Sequence, residues 1–398
     1  MLQDKKIVVG VTGGIAAYKA AELVRYLIKS AAHVRVMMTP AATHFISPLT
    51  FETLTGHAVL TDLFPAAGGG TLHIDWARWP DTVLLCPATA NTIAKIANGL
   101  ADNAVTTTVA ACTAPVIVCP AMNKEMYANP LYQQNQNKLL QNGYLVVTPG
   151  QGELACGEVG WGRLAELDEI VDAVKTAVTV KKDFTGKKVL VTAGPTYEAL
   201  DPVRYLGNRS SGKMGFAVAE RAALRGAQVT LITGPSHERA FSGVSLQRVQ
   251  TAAQMLEAVE KHLVDQDVLI MAAAVSDYIP GSVSPQKIKK SDAELLLRLV
   301  RTRDILQAAA SGKGERIHVG FSLETENEIP YSLHKMEQKD LDLIVLNNPL
   351  EPDAGFEVDT NVVTLLHRSG QQETWPKLSK LEVADRILDA VQNLLTVR

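Results

Sequence analysis

Four stretches, GGIAAYK from Gly13, TPAATHF from Thr39, PATANTIAKIANG from Pro87 and PAMNKEMY from Pro120, each follow an apolar run and mix small residues with threonine or asparagine. Glycine, threonine and asparagine can hydrogen-bond a phosphate or a flat polar ring without competing with it for space. GGIAA by itself serves equally well as a tight turn. Four such loops at one sheet edge are harder to read that way. Asn123 offers a two-donor amide just after a strand, although asparagine also suits a turn. His73 follows the glycines Gly68 to Gly70 and precedes an apolar-aromatic stretch, so it is expected on a mobile loop beside a dry surface. A lone histidine is more often structural; titration near neutral pH is what recommends it for proton transfer. Cys156 lies in GQGELACGEVGWGR, whose glycines imply a long pliable loop. Such a loop suits a flap closing over a ligand better than it suits core packing.

A second group lies in KKVLVTAGPTYEALDPVRYLGNRSSGKMG, residues 187–215. Arg204, Asn208, Arg209 and Lys213 gather at a glycine-serine turn that opens a helix, an anion site in outline. The spacing of Met214, Val218 and Ala222, with Gly226 as stop, places Ser210 and Ser211 at the helix N-terminus, where free backbone amides favour a phosphate. Serine capping with exposed arginines accounts for the same pattern. SSGKMG lacks the spacing of the Walker lysine loop, and it is not GxGxxG. Asp277, in AAAVSDY at a strand's end, could meet a ribose hydroxyl or a magnesium ion. Lys287, Lys289 and Lys290 follow on a loop. Three lysines in four residues are usually a solvated face; a place beyond a strand's carboxyl end favours triphosphate.

Such residues need a scaffold that collects strand ends. KKIVVGVTGG, from Lys5, and KKVLVTAG, from Lys187, share one plan: a lysine pair, a β-branched run, a glycine turn, then a helical pattern. Two α/β units therefore stand in tandem. In the first, Ile7 to Thr12, Val34 to Met38, Thr82 to Cys86, Pro115 to Cys119 and Tyr144 to Val147 read as strands. Ile15, Tyr18, Leu23, Tyr26 and Leu27 fall on or near one face of a helix ending around Ser30. In the second, Val189 to Thr192, Val268 to Ala272, Val319 to Leu323 and Leu341 to Leu346 are strands, and a long loop from Ala193 to Asn208 replaces the usual phosphate turn. Thr360 to Leu366 with Arg368-Ser369-Gly370 reads as a hairpin. Leu167 to Thr179 forms a helix, Lys181 to Lys187 a linker, and Ser379 to Leu395 a closing helix with Ser379 and Glu382 in capping-box spacing. The fold class is α/β, two tandem doubly wound domains over 1–180 and 186–398, flavodoxin-like or Rossmann-like and then Rossmann-like. In such sheets ligands sit beyond the carboxyl ends of the strands.

Composition agrees with small-molecule chemistry. The 398 residues, 46% hydrophobic and 20% charged, can fill two cores. A net charge of −3 gives no global basic field, so nucleic acid is not expected and anions must be held by local clusters. The chain enters a strand pattern without a secretory leader and has no run of membrane-spanning length, so a cytoplasmic protein without membrane partners is expected. Cys86, Cys112, Cys119 and Cys156 include no CxxC pair, and three of them lie in or beside apolar runs. Neither a disulfide framework nor a zinc site is expected.

Taken in order, GGIAAYK, LHIDWARW, PATANTIAKIANG, PAMNKEMY and ACGEVGWGR resemble the flavoproteins that decarboxylate phosphopantothenoylcysteine, over about residues 5 to 175. The resemblance implies FMN cradled by Gly13, Gly14, Thr39 and the loop of Pro87, Ala88, Thr89 and Asn91. It also implies a catalytic His73, an Asn123 holding the substrate carboxylate with Met126 beside it, and Cys156 on a flap as proton donor. Tyr127 stands where that motif often has tryptophan. In the second half, AGPTYEALDPVRYLGNRSSGKMG, AAAVSDY, PQKIKK, GFSLET and KDLDLIVLNN resemble phosphopantothenate-cysteine ligase, over about residues 185 to 395. The whole chain is similar to the bacterial two-domain family that joins both activities.

That resemblance implies ligation of 4'-phosphopantothenate to cysteine through an acyl-cytidylate, then decarboxylation to 4'-phosphopantetheine for coenzyme A. CTP would act with Mg2+ held mainly by its phosphates, Asp277 being the candidate protein ligand. Nucleotide contacts carry over to Asp277, Lys287, Arg303, Asp304, Ile305, Leu306, Phe321, Lys335 and Lys339. RTRDIL, around Arg303, departs from the asparagine-proline pair common before that aspartate. Arg204 and Asn208 would hold substrate, with Asn208 handling the acyl-cytidylate and Lys287 acting in catalysis. The family also implies a homo-oligomer, with trimeric flavin domains joined through ligase dimers up to a dodecamer. Two other readings make different predictions. A pair of NAD(P) units needs neither flavin nor CTP; a flavin-binding regulatory subunit binds FMN tightly without turnover.

Overall fold

Runs such as Ile7-Val8-Val9 leave no polar face, and a strand covered on both sides accepts them best. The computed structural model describes residues 1–64, 71–155, 157–289, 295–323, 327–347 and 358–397, in two units, Met1–Val180 and Lys181–Arg398. In the first, β1 (Lys6–Val11), β2 (His33–Met38), β3 (Thr82–Ala88), β4 (Val116–Pro120) and β5 (Leu145–Val146) form a sheet ordered β2-β1-β3-β4-β5. Every pair is parallel. This is the flavodoxin-like order, whose switch point lies between β1 and β3.

Helices cover both faces. On one side α1 (Lys19–Lys29) and α2 (Pro48–Thr55) share a core with the terminal helix of the unit, through Leu23, Leu27, Phe51, Ile170 and Val174. On the other, Trp76 of α3 (Leu72–Arg78), Ile93 of α4 (Ala90–Ala97) and Val105 of α5 (Ala104–Ala111) pack on the sheet. The short α6 (Lys124–Ala128) leads into α7 (Pro130–Gln141), whose Tyr132 and Leu139 complete that core. The terminal helix is α8 (Leu167–Val178). Of the five residues assigned to one face of α1, only Leu23 and Leu27 are core. Ile15 and Tyr18 are 60% and 61% exposed and Tyr26 is 37% exposed. Ile15–Tyr18 is a separate 3-10 turn, so α1 begins at Lys19 and its buried face is Ala20, Leu23, Val24 and Leu27.

Two loop expectations are corrected. His73 stands in the first turn of α3, not on a loop; the glycines before it lie outside the described residues. The glycine-rich stretch after β5 is an antiparallel ribbon, β6 (Gly150–Glu153) with β7 (Val159–Arg163). Its close docking uses glycine. Gly162 has φ +122, and a Cβ there would lie 2.3 Å from the Met122 carbonyl oxygen. Met122 N–H donates to the Gly162 carbonyl at 2.9 Å.

The second unit repeats the logic with a longer sheet. Its strands begin with β8 (Lys188–Ala193), followed by the small hairpin of β9 (Tyr197–Ala199) and β10 (Tyr205–Gly207). The Ala193 to Asn208 loop is thus partly ordered, with the Tyr197 and Tyr205 rings stacked at 3.9 Å. Next come β11 (Gln228–Thr233), β12 (Ser245–Arg248), β13 (Val268–Met271), and the ribbon of β14 (Tyr278–Pro280) with β15 (Leu299–Arg301). Then β16 (Ile317–Leu323), β17 (Leu343–Asn347), β18 (Thr360–Asn361), β19 (Val363–His367), β20 (Gln372–Thr374) and β21 (Leu378–Ser379) follow. The main sheet is ordered β12-β11-β8-β13-β16-β17-β19-β20. Its first six strands are parallel in the dinucleotide-binding arrangement. β19 and β20 add antiparallel as the hairpin at Gly370.

One face carries α9 (Lys213–Leu224); the other carries α10 (Ala252–Leu263), α11 (Ile305–Ala310) and α12 (Glu328–Gln338); α13 (Lys380–Val397) returns beside α9. The capping box is present: Glu382 N–H donates to Ser379 Oγ at 3.3 Å and Ser379 N–H to Glu382 Oε2 at 2.8 Å. Neither Ser210 nor Ser211 caps α9. Its N-cap is Gly212, and the Ser211 carbonyl accepts from Ser236 Oγ at 2.6 Å.

Lys181 to Lys187 is no free linker. Phe184 is fully buried in the second core, worth about 1.5 to 3 kcal/mol. The buried Arg225 guanidinium lies 4.9 Å from its ring and pairs with Asp183 and, at 2.8 Å, Asp389. Among the described residues no helix is long and apolar enough to cross a membrane.

Candidate functional site

The parallel sheet of the first unit brings the ends of β1 to β4 to one edge, and their loops enclose a cavity of about 1180 Å³. Gly13, Gly14, Thr39, Thr89, Asn91, Asn123 and Met126 all line it. Each polar side chain is placed by a local rule. Thr39 caps the turn Pro40–His44, Thr89 caps α4, and Asn123 caps α6 by accepting from Glu125 N–H at 2.8 Å. Each capping oxygen turns toward its own helix and satisfies one of the first-turn amides. Gly13 is required by contact: a Cβ there would sit 2.4 Å from the Cβ of Ala41. Ile15, Tyr18 and Leu154 add apolar wall.

Pro87 and Ala88, expected in the cradle, stand behind it. Ala88 is fully buried in β3, and the Pro87 carbonyl accepts from Thr12 Oγ1 at 2.8 Å. Thr12 was missed by motif reasoning. It is fully buried, and its Oγ1 also accepts from Thr89 N–H at 2.9 Å, which ties the first loop to the third. The available signal was a lone hydroxyl ending an apolar strand. Lys95, Asp102 and Arg163 also line the cavity. The hydrogen bond from Lys95 holds the Asp102 carboxyl below its ordinary range.

His73 is not among the cavity-lining residues, and Cys156 lies outside the described ones. The ribbon that carries position 156 meets Asn123, whose Nδ2 donates to Glu158 Oε2 at 3.1 Å; Lys124 Nζ lies 3.7 Å from Glu158. Cys86 and Cys119 are buried on β3 and β4. Burial, reinforced by the neighbouring Cys86 thiol, pushes Cys119 well above the ordinary thiol range, so it is a packing residue.

At the corresponding edge of the second unit the expected residues form small linked groups. Asn208 Nδ2 donates to the Ala274 carbonyl at 2.9 Å, beyond β13. The Asp277 carbonyl accepts from Thr302 N–H at 2.9 Å, which brings Asp277 beside Arg303 and Asp304. Lys339 pairs with Asp304 at 2.7 Å, Arg303 with Glu260 at 3.3 Å, and Lys335 Nζ donates to the Phe321 carbonyl at 2.7 Å. Burial opposes ionisation of Asp304, but the bond and charge of Lys339 together with the Gln307 and Leu306 amides outweigh it and keep the carboxyl low. Lys287 is exposed.

Three expected residues have structural work here. The Ile305 and Leu306 side chains point into the core. Arg204 forms a forked pair with buried Asp201, 2.9 and 2.6 Å, and donates to the Ile288 carbonyl at 2.7 Å. It fastens the lysine-bearing loop. Burial works against the Asp201 charge, yet amides of Val203, Ile288 and Arg204 together with the guanidinium hold its carboxyl well below the usual range. A second depression, about 550 Å³ and lined by Gln247, Arg248 and Lys261 among others, contains none of the expected nucleotide residues.

Two doubly wound units, the first with a small-residue cavity at its switch point, define a two-domain α/β protein with a built ligand site in its first half. Residues 1–179 match the family model described as flavoprotein. Residues 184–395 match the DNA/pantothenate metabolism flavoprotein C-terminal domain. The coenzyme A biosynthesis bifunctional protein CoaBC of Bacillus subtilis is 44% identical over 398 residues, 99% of this chain and 98% of that protein. Its Escherichia coli K12 counterpart is 43% identical over 376 residues, 93% of each. The crystal structure of the C-terminal domain of a coenzyme A biosynthesis bifunctional protein CoaBC is 37% identical, covering 55% of this chain and 100% of that one, with a TM-score of 0.48. The chain belongs to the family of coenzyme A biosynthesis bifunctional proteins.

Proposed function

We propose that the second unit joins 4'-phosphopantothenate to cysteine using CTP, and that the first decarboxylates the product to 4'-phosphopantetheine. The observation that carries this reading is the convergence of Gly13, Gly14, Thr39, Thr89, Asn91 and Asn123 on one cavity. The residues fit FMN: Gly13 lets the first loop pack closely on Ala41 at the cavity wall, and helix-start amides suit a phosphate. When bound, FMN supplies a two-electron acceptor and donor, so that the oxidised substrate loses CO2 readily and the electrons then return. Asn123 orients the substrate carboxylate, with Met126 beside it. His73 moves a proton and Cys156 delivers one. Following the family resemblance, the reading includes a homo-oligomer, trimeric through the flavin unit and dimeric through the ligase unit, up to a dodecamer.

Ligation begins when a carboxylate oxygen of phosphopantothenate attacks the α-phosphorus of CTP and pyrophosphate leaves. The cysteine amine then attacks the acyl carbon and CMP departs. Lys287 and Lys339 offset triphosphate charge, and Lys335, bonded to the Phe321 carbonyl, sits at the end of β16 where a nucleotide would lie. Asn208 can donate to the mixed anhydride without attacking it. Among the described residues there is no cluster of three or more His, Cys, Asp or Glu. Mg2+ commonly binds through substrate phosphates with one or two carboxylates, and Asp277 is the candidate carboxylate here.

The first test is the visible spectrum of the purified protein, expected to show about one FMN per chain. CTP-dependent pyrophosphate release with phosphopantothenate and cysteine should accompany it. A colourless protein that fails to take up added FMN sinks the decarboxylase assignment. Bound flavin with no turnover on all three substrates would instead make the chain a regulatory subunit.

A further inference from the structure

We propose that Glu158 is an internal stand-in for the substrate carboxylate: it occupies the Asn123 amide when substrate is absent and is displaced by it. The inference rests on the assignment of Asn123 as carboxylate holder. Its geometry is independent of that assignment. Asn123 Oδ1 caps α6 through Glu125 N–H at 2.8 Å, so its Nδ2 is turned away from the helix. There it donates to Glu158 Oε2 at 3.1 Å, while Glu158 Oε1 lies 3.7 Å from Lys124 Nζ. An amide donor and a nearby ammonium are what a ligand carboxylate would seek.

Glu158 stands on the returning side of the ribbon. Its carbonyl accepts from Leu154 N–H at 2.8 Å, and Leu154 lines the cavity. The root of the ribbon is held separately. Met122 N–H bonds Gly162, and a Cβ on Gly160 would lie 2.9 Å from Lys124 Cβ. The Glu158 and Lys124 side chains are 46% and 36% exposed, so their contact is screened and weak. A ligand carboxylate forms the same bonds and repels Glu158 besides. A ligand lacking the carboxylate gains nothing there. Glu158 thus lowers affinity for the carboxylate-bearing substrate, which must displace it, and leaves affinity for the decarboxylated product unchanged.

The test uses the flavin-loaded full chain and three variants. Glu158→Ala should lower KM for 4'-phosphopantothenoylcysteine about two- to fivefold. Inhibition by 4'-phosphopantetheine, which has no carboxylate, should stay unchanged. Glu158→Asp should restore KM toward the original value, and Glu158→Gln should fall between. Calorimetric titration with 4'-phosphopantothenoylserine, which keeps the carboxylate and has no thiol to oxidise, should show the same gain without turnover. A KM that stays the same or rises in Glu158→Ala, or a parallel shift for both ligands, is the signature of a mere staple of the ribbon and overturns the proposal. If the unaltered protein releases no CO2, the decarboxylase reading has failed instead, and the titration still decides whether Glu158 competes with a carboxylate.

Discussion

In the first unit the loops after β1, β2, β3 and β4 wall off about 1180 Å³ with small residues, whereas the same edge of the second unit leaves Asp277, Lys287 and Arg303 exposed. The contrast extends to charge. The cavity contains capped helix starts and one lysine-aspartate pair, Lys95 with Asp102. The second edge pairs Lys339 with Asp304, Arg303 with Glu260 and Lys335 with a carbonyl. A ring that brings its own apolar surface is met by a space already built. On the proposed reading a polyanion would meet cations already partnered; the exposed Arg303–Glu260 pair holds only about 0.2 to 1 kcal/mol, so phosphate oxygens can replace its partner, whereas Lys339 and Asp304 are half-buried. On that reading, shape would prepare the first site and exchangeable charge the second.

Separate sites imply separable losses, and this is where the comparison is broken most easily. Asn208→Ala should reduce CTP-dependent pyrophosphate release about a hundredfold or more, with CO2 release from added phosphopantothenoylcysteine intact. His73→Asn should do the reverse by a comparable factor. Loss of both activities in either folded variant would show one shared site.

A smaller difference concerns acid. His318 of β16 is fully buried with neither ring nitrogen hydrogen-bonded. Burial first, then Lys313 and Arg316, push its pKa down to about 4, against opposing pulls from Asp342 and Asp340. The unfolded chain takes up this proton near pH 6.5 and the folded chain only near 4. Between those values the unfolded state binds more protons, so stability falls as pH falls, by up to roughly 3 kcal/mol. The shifted groups described in the first unit are Asp102, two thiols and two phenols, none of which changes charge in that window. Urea unfolding at pH 7.5 and 4.5 should therefore weaken the second unit first, and His318→Leu should flatten its slope. Equal acid sensitivity of both units would remove the distinction.

The smallest effect sharpens the role of shape. In Gly13→Ala the new methyl would meet Ala41 at 2.4 Å, and overpacking of this kind costs about 1 to 3 kcal/mol. Flavin retained per chain should drop by about ten- to a hundredfold in affinity. Ligation should not change. Unaltered flavin binding would mean that the first loop is soft rather than prebuilt.

Much of this was legible in the chain itself. β-branched runs such as Ile7 to Val11 and Val189 to Val191 cannot be satisfied at a surface, and their spacing leaves room for crossover helices, so parallel α/β sheets follow. Loops with small and polar residues after those runs then must meet at one edge. Side-chain duty was less legible. Ile15 and Tyr18 fit a helical period yet face the cavity, because the glycine turn delays α1 by a few residues. Arg204 reads as an anion ligand and is spent on Asp201, since a nearby buried carboxylate claims a guanidinium more strongly than an open edge does.

Composition and periodicity alone determined two doubly wound units and which loops share an edge, because burial of apolar runs is a local property repeated along the chain. Tertiary structure alone decided that Thr12 ties two loops, that Phe184 and Arg225 make a core of an apparent linker, and that Glu158 reaches Asn123. Those contacts join residues 35 to 77 positions apart, or more, and their worth depends on exclusion of water and on distance, neither of which a linear pattern contains.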